Sequence, residues 1–247
     1  MSAARWAALA AMVTAGCALT GCVGAPVDQR PVVRIVEAAQ PSRAVPLGQF
    51  LPNAQELSAT LGTGPDALMG QLVEGDADML LRSVGEVQAT PVHCVSTAYR
   101  LQKIVYDDGP VQAVATGSWA GGGFDGPPVS GFFGVVQMAS AADAQEFFAT
   151  LTDQWRRCNG QTVALQHAGP GADELSRVFG VALDDRVVSA SVLHATAGPG
   201  STATSRALGL AGDCIVDVEL TDPRAAAGER SAVGVTELIL DKIAARR

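Results

Sequence analysis

The stretch Leu19-Thr20-Gly21-Cys22 constrains this chain more than any other, because it decides which residues fold and where they do so. Arg5 is the one cationic side chain ahead of an apolar, Ala-rich run from Trp6 to Leu19, and a small residue then precedes a cysteine. That order is the order of a secretory signal. The apolar run is about 14 residues, short of the roughly 20 that a membrane-spanning helix needs. Residues 1–21 are therefore expected to be a signal peptide, with Cys22 as the new N-terminus.

The box resembles the lipidation site of bacterial lipoproteins. That resemblance implies diacylglycerol on the Cys22 sulfur, usually with an N-acyl (palmitate-type) chain. One acyl chain alone holds a protein only marginally, and several give stable anchoring. The expected location is the cell membrane, lipid-anchored and facing the extracytoplasmic side. Residues 22–46 read as a linker carrying Pro26, Pro31, Pro41 and Pro46, with a short strand candidate at Val32–Val36. The domain is expected over 47–247.

Hydrophobic residues make up 48% of the 247, enough for a sizeable core. The formal charge of −8 lacks the basic footprint of a nucleic-acid binder, so no nucleic-acid partner is expected. Cys17 leaves with the leader and Cys22 carries lipid, which leaves Cys94, Cys158 and Cys214 in an oxidising compartment.

Local signals give the element order. Asn53 and Glu56 form a capping-box pattern before Leu57 and Leu61, with Gly62 at the far end. Gly64-Pro65-Asp66 opens a second helical turn. Ala98, Leu101, Ile104 and Val105 predict one helix, ended by Asp107-Asp108-Gly109-Pro110. Val111–Trp119 and Val129–Met138 predict a hairpin with a long Gly- and Pro-rich tip. Ser140 to Cys158 is the clearest helix, with Ser140 as N-cap and Asp143 in its first turn. A strand meander covers 162–166, 175–183, 186–194, 206–210 and 214–220. In its last strand Cys214, Val216, Val218 and Leu220 point one way, and Asp217 and Glu219 the other, toward solvent. A C-terminal helix carries Val235, Leu238, Ile239 and Ile243. The class predicted is α+β: an antiparallel sheet with helices packed mainly on one face.

Pro91-x-x-Cys94, Ala144-x-x-Phe147 running to Trp155-x-x-Cys158, and Arg206-Ala207-Leu208 ahead of Val216-Asp217-Val218 resemble the PknH-like extracellular sensor domain. That domain occurs on mycobacterial serine/threonine kinases and in stand-alone actinobacterial lipoproteins. The resemblance covers roughly Leu47 to Lys242. It implies an α+β domain outside the membrane with a cleft for an unidentified ligand, and it brings no catalytic residues. Family members usually carry four cysteines in two disulfides. Thr204 stands near the third position and Thr221 near the fourth, so that pairing does not carry over intact. From the residues alone, Cys158–Cys214 is the better pair, since both lie on apolar faces expected to meet. Such a bridge would stabilise by about 4 kcal/mol in the chain-entropy model. Cys94–Cys158 and three buried thiols are the alternatives.

Chemistry is sparse. Gly121-Gly122-Gly123-Phe124-Asp125-Gly126 fits G-x-G-x-x-G, but a strand rather than a helix follows, so it reads as a hairpin tip. His93, His167 and His194 lack metal-type spacing, and neither G-x-S-x-G nor S-x-x-K is present. No cofactor, metal or enzymatic activity is expected. Asp107-Asp108 and Asp184-Asp185 read as solvated turn residues. Trp119, Phe124, Phe132 and Phe133 read as core, or else as the lining of a cleft between hairpin and helices. The expected function is a membrane-anchored sensor-like module that binds a small molecule or envelope component. The other reading is a protein-interaction module meeting an envelope protein. With no kinase domain in these residues, signalling is expected to pass through a partner.

Overall fold

Neighbouring residues in the long strands point into different cores, and that alternation sets the architecture. In the computed structural model the described residues are 45–64, 68–85, 88–121, 128–166, 174–196, 200–224 and 232–246. Cys22, the 32–36 strand candidate, the turn at Pro65-Asp66, Phe124 with most of the hairpin tip, and His167 lie outside them. Residues Ala44–Arg247 form one compact unit.

The strands are β1 (Leu68–Met69), β2 (Val73–Gly75), β3 (Ala89–Thr90), β4 (Val111–Gly121), β5 (Val129–Met138), β6 (Thr162–Leu165), β7 (Glu174–Asp184), β8 (Val187–Thr196), β9 (Ser201–Ala211) and β10 (Cys214–Thr221). The helices are α1 (Ala54–Leu61), α2 (Val95–Ala98), α3 (Lys103–Tyr106), α4 (Ala141–Cys158) and α5 (Ala232–Ala244). All ten described strands join one sheet of order β1-β4-β5-β10-β9-β8-β7-β6-β3, with β2 also pairing β4. The strand pairs within it are antiparallel.

One face buries Val114, Val136, Val188, Leu208 and Ile215 under α4 and the α2–α3 segment. The other buries Ala115, Val135, Val187, Ala207 and Val216 under α5, α1 and the short 3-10 turn Leu47–Phe50. The α+β class and the antiparallel sheet stand as predicted. The helices, however, divide between the two faces. Both faces of β10 are covered, with Ile215 and Asp217 on the side that its alternation had assigned to solvent, and this overturns the half-solvated reading. Asp217, expected on a wet face, is 3% exposed.

The capping box at Asn53 and Glu56 forms, and Gly62 ends α1 in the left-handed region at φ 59°. Lys242 of α5 donates to Glu56 Oε2 at 2.8 Å and to the Leu51 carbonyl at 3.0 Å, which ties the last helix to the first. In α4, Ser140 Oγ accepts from Asp143 N–H at 3.1 Å, as its N-cap pattern implies. The helix buries Ala144, Phe148, Leu151, Thr152, Trp155 and Cys158 against the sheet.

The predicted single helix over 98–105 is instead two one-turn helices. Between them Leu101 takes a left-handed φ of 49°. Its N–H leaves the helical ladder and donates to Asp217 Oδ2 at 2.8 Å. A carboxylate on a distant strand thus outcompetes local helix propensity.

Candidate ligand cleft

A second stripe of α4 faces away from the sheet: Asp143, Glu146, Phe147, Thr150 and Gln154, at spacings that share one helix side. Opposite it run Val92, His93, Val95, Ser96, Ile104 and Val105, with Asp108, Gly109 and Pro110 closing one end. Between them lies a cleft of about 600 Å³, inside the range of small-molecule sites. Its floor is aliphatic and aromatic; its rim carries carboxylates and the exposed His93. Ser96 lines the cleft, is 7% exposed, and its Oγ has no hydrogen-bond partner among the described residues. The Ser58, Thr97 and Thr152 hydroxyls are in the same state, so this alone does not single out the cleft.

The cleft walls are fixed at two places. Cys94, just before α2, bonds to Cys158 at the end of α4, with an S–S distance of 2.02 Å. The second tie is a buried ion pair. Arg206 of β9 is fully buried and donates from Nη1 to Asp217 Oδ1 at 2.8 Å and to the Val218 carbonyl at 3.2 Å. Its Nη2 reaches the Ser96 carbonyl at 3.1 Å, and its Nε the Thr97 carbonyl at 3.3 Å. Its guanidinium carbon lies 5.8 Å from the Trp155 ring centroid. Asp217 completes its shell with the Leu101 N–H and the Tyr106 hydroxyl, the latter at 3.3 Å. Burial, reinforced by the Asp217 charge, holds the Tyr106 phenol well above its ordinary pKa. Tyr106 in turn stacks on Phe147 of the cleft at 5.0 Å between centroids. One network therefore carries the α2–α3 wall on the sheet.

The cysteines correct the preferred pairing. Cys214 is a free, buried thiol in the core under α5, while Cys158 lies in the core under α4. The sheet separates them, so a Cys158–Cys214 bridge is excluded by geometry. Burial pushes the Cys214 thiol up to about 12. His93 lies within 4.8 Å of both bonded sulfurs, but a disulfide offers no thiolate to a metal.

His194 sits in a separate cluster outside the cleft. Its Nδ1 meets Ser176 Oγ at 2.8 Å and Glu174 Oε1 at 3.0 Å, and its Nε2 meets Thr204 Oγ1 at 3.2 Å. Tyr99 hydroxyl joins Ser176 at 2.8 Å. Both acid and serine share one ring nitrogen, and Ser176 is fully buried, so this is not the relay of a hydrolase. The His194 hydrogen bond holds the Glu174 carboxyl below its ordinary value, against the opposing push of burial. Of the hairpin aromatics, Trp119 and Phe133 are core under α5, and Phe132 lies under Arg100, whose guanidinium carbon is 3.7 Å from its ring centroid. The cleft of about 600 Å³ thus lies between α4 and the 92–110 segment, while a second cavity of about 200 Å³, lined by Phe132, Thr116, Gly117, Ser118 and Leu101, lies beside the hairpin as expected. Asp108, read as a solvated turn residue, is on its rim.

Fold and cleft define a class: an α+β domain of one antiparallel sheet, helices on both faces, and a ligand-sized cleft under its longest described helix. Residues 42–242 match the family described as PknH-like extracellular domain, and the chain belongs to that family. The family supports an extracytoplasmic location. The chain is 30% identical over 110 residues to serine/threonine-protein kinase PknJ of Mycobacterium tuberculosis and of Mycobacterium bovis. That match spans 44% of this chain and only 18% of each kinase. The crystal structure of the extracellular domain of PknH from Mycobacterium tuberculosis superposes with a TM-score of 0.65 at 19% identity, over 80% of this chain and 94% of that one. The likeness establishes the shared fold.

Proposed function

We propose that this chain is a membrane-anchored extracytoplasmic lipoprotein whose sensor-like domain binds a small molecule or envelope component in the cleft between α4 and the 92–110 segment. The observation that carries this reading is a cleft of ligand size with an aliphatic and aromatic floor and a polar rim, between α4 and the 92–110 segment. Family membership supports it. The module binds rather than catalyses, and anchoring falls to Cys22. Native mass spectrometry of the chain from Val23 onward, purified from an actinobacterial envelope, tests the binding. An excess mass lost on gentle activation, and lost as well from a Thr150→Trp variant that fills the cleft, is the expected result; a bare mass with every extract counts against it. For the anchor, Cys22→Ala should leave the membrane fraction or stay unprocessed, and unchanged fractionation would refute lipidation.

A second reading, an envelope protein-interaction module, has its own observation. Leu175, Phe179 and Leu193 are exposed on β7 and β8, with Arg177 opposite Leu193 across the pair. Cross-linking on intact cells through this face would reveal a protein partner.

A further inference from the structure

We infer that the cleft selects an organic cation: an amine or ammonium group on an apolar body. This rests on reading the cleft as a ligand site. The charged side chains on its lining are Asp108, Asp143 and Glu146; neither lysine nor arginine lines it, and His93 is the other titratable group there. Asp143 and Glu146 stand three residues apart on α4 and so share one side of the rim. Anions commonly settle on a helix N-terminus, but at that end of α4 the Asp143 N–H donates to Ser140 Oγ, whose hydroxyl donates to Asp143 Oδ2 at 2.6 Å, and the Asp143 carboxylate there repels an anion. An anionic ligand would therefore meet three carboxylates and no compensating charge. A cation finds them placed around an apolar floor of Val95, Ile104, Val105, Phe147 and Leu151.

The test uses the chain from Val23 onward, exported behind a signal without a lipidation cysteine, and three probes with one eight-carbon body: octylamine, octanol and octanoate. Amide chemical shifts of Ile104, Phe147 and Thr150 report occupancy. Octylamine should bind tighter than octanoate by about tenfold or more, and high salt should shrink the difference. The surface pair Asp108→Asn and Glu146→Gln, which leaves Asp143 as the one carboxylate on the lining, should remove most of the octylamine advantage over octanol and leave octanol unchanged. Octanoate binding as tightly as octylamine would overturn the cation class and leave the cleft standing as a site. Failure of all three probes to move these amides would overturn the cleft reading itself, and the class with it.

Discussion

Replacing Arg206 with Met isolates the buried pair that carries the cleft wall. The guanidinium makes four hydrogen bonds, to Asp217 and to the carbonyls of Ser96, Thr97 and Val218, and none of its surface reaches solvent. Methionine fills most of the volume but removes every donor. Asp217 then keeps only the Leu101 N–H and the Tyr106 hydroxyl, with its charge still buried. Breaking one side of a buried pair in this way costs about 3–5 kcal/mol. For a domain of this size that is a fall in Tm of roughly 6–20 °C. Differential scanning calorimetry of the oxidised protein reads it directly. The paired change Arg206→Met with Asp217→Leu removes the stranded charge and should recover part of the loss, though Leu101 N–H and Tyr106 OH then lack an acceptor at about 1–3 kcal/mol each. A single Arg206→Met variant melting within about 2 °C of the parent would refute the account. So would a double variant as unstable as the sum of its single changes.

Other outcomes follow from the same packing. Peptide mapping without reduction should recover Cys94 joined to Cys158, and Cys158→Ser should lower stability by about 4 kcal/mol for a loop of this length; a Cys214 disulfide would contradict the fold. Cys214, buried with its thiol pushed up to about 12, should resist iodoacetamide in the native protein at pH 8 and react only on unfolding. At Gly209 an added Cβ would sit 2.6 Å from Thr236 and 2.9 Å from Leu240, so Gly209→Ala should lower stability by about 1–3 kcal/mol as α5 is pushed off the sheet. Glu174 has its carboxyl held below the ordinary 4.5, so the folded state gives up that proton more readily than the unfolded one. Its stabilisation is whole above about pH 4.5 and fades as pH falls through the lower folded value. The gap in urea midpoint between parent and Glu174→Gln should therefore be wide at pH 7 and narrow at pH 3; a gap independent of pH would exclude the His194 contact as its source.

What could be read beforehand was local. Ser140 and Asp143 announce α4, Asn53 and Glu56 announce α1, and apolar runs around a Gly- and Pro-rich tip announce the β4–β5 hairpin, because each depends on neighbours in sequence. What escaped was non-local. The α4 stripe of Asp143, Glu146, Thr150 and Gln154 has the composition of a solvated face, and only the crossing 92–110 segment turns it into a cleft wall. Cys214 and Cys158 both sit among apolar residues, but a sheet with two cores gives no sequence sign of which side a buried cysteine takes. Arg206 and Asp217 did leave a trace: opposite charges within apolar strand runs, with Arg206 directly across from Glu219 and diagonal to Asp217. Burial of one such residue on a strand would have implied burial of its partner.

The tie between the first and last helices has a consequence for how the molecule is born. Ribosomes release α1 first, yet Leu57 and Leu61 belong to the same core as Val235, Ile239 and Ile243, roughly 180 residues later. The nascent domain can pair strands and seat α4 while this side still waits for its cover. During that interval Ala207, Val216 and Val218 lie bare on a hydrogen-bonded sheet, the state in which growing chains stick to one another. A premature stop before Ala232 would therefore do more than trim an end. It would leave one side of the sheet covered only in part, by α1 and the Leu47–Phe50 turn, and the yield of folded protein rests on the arrival of its final helix.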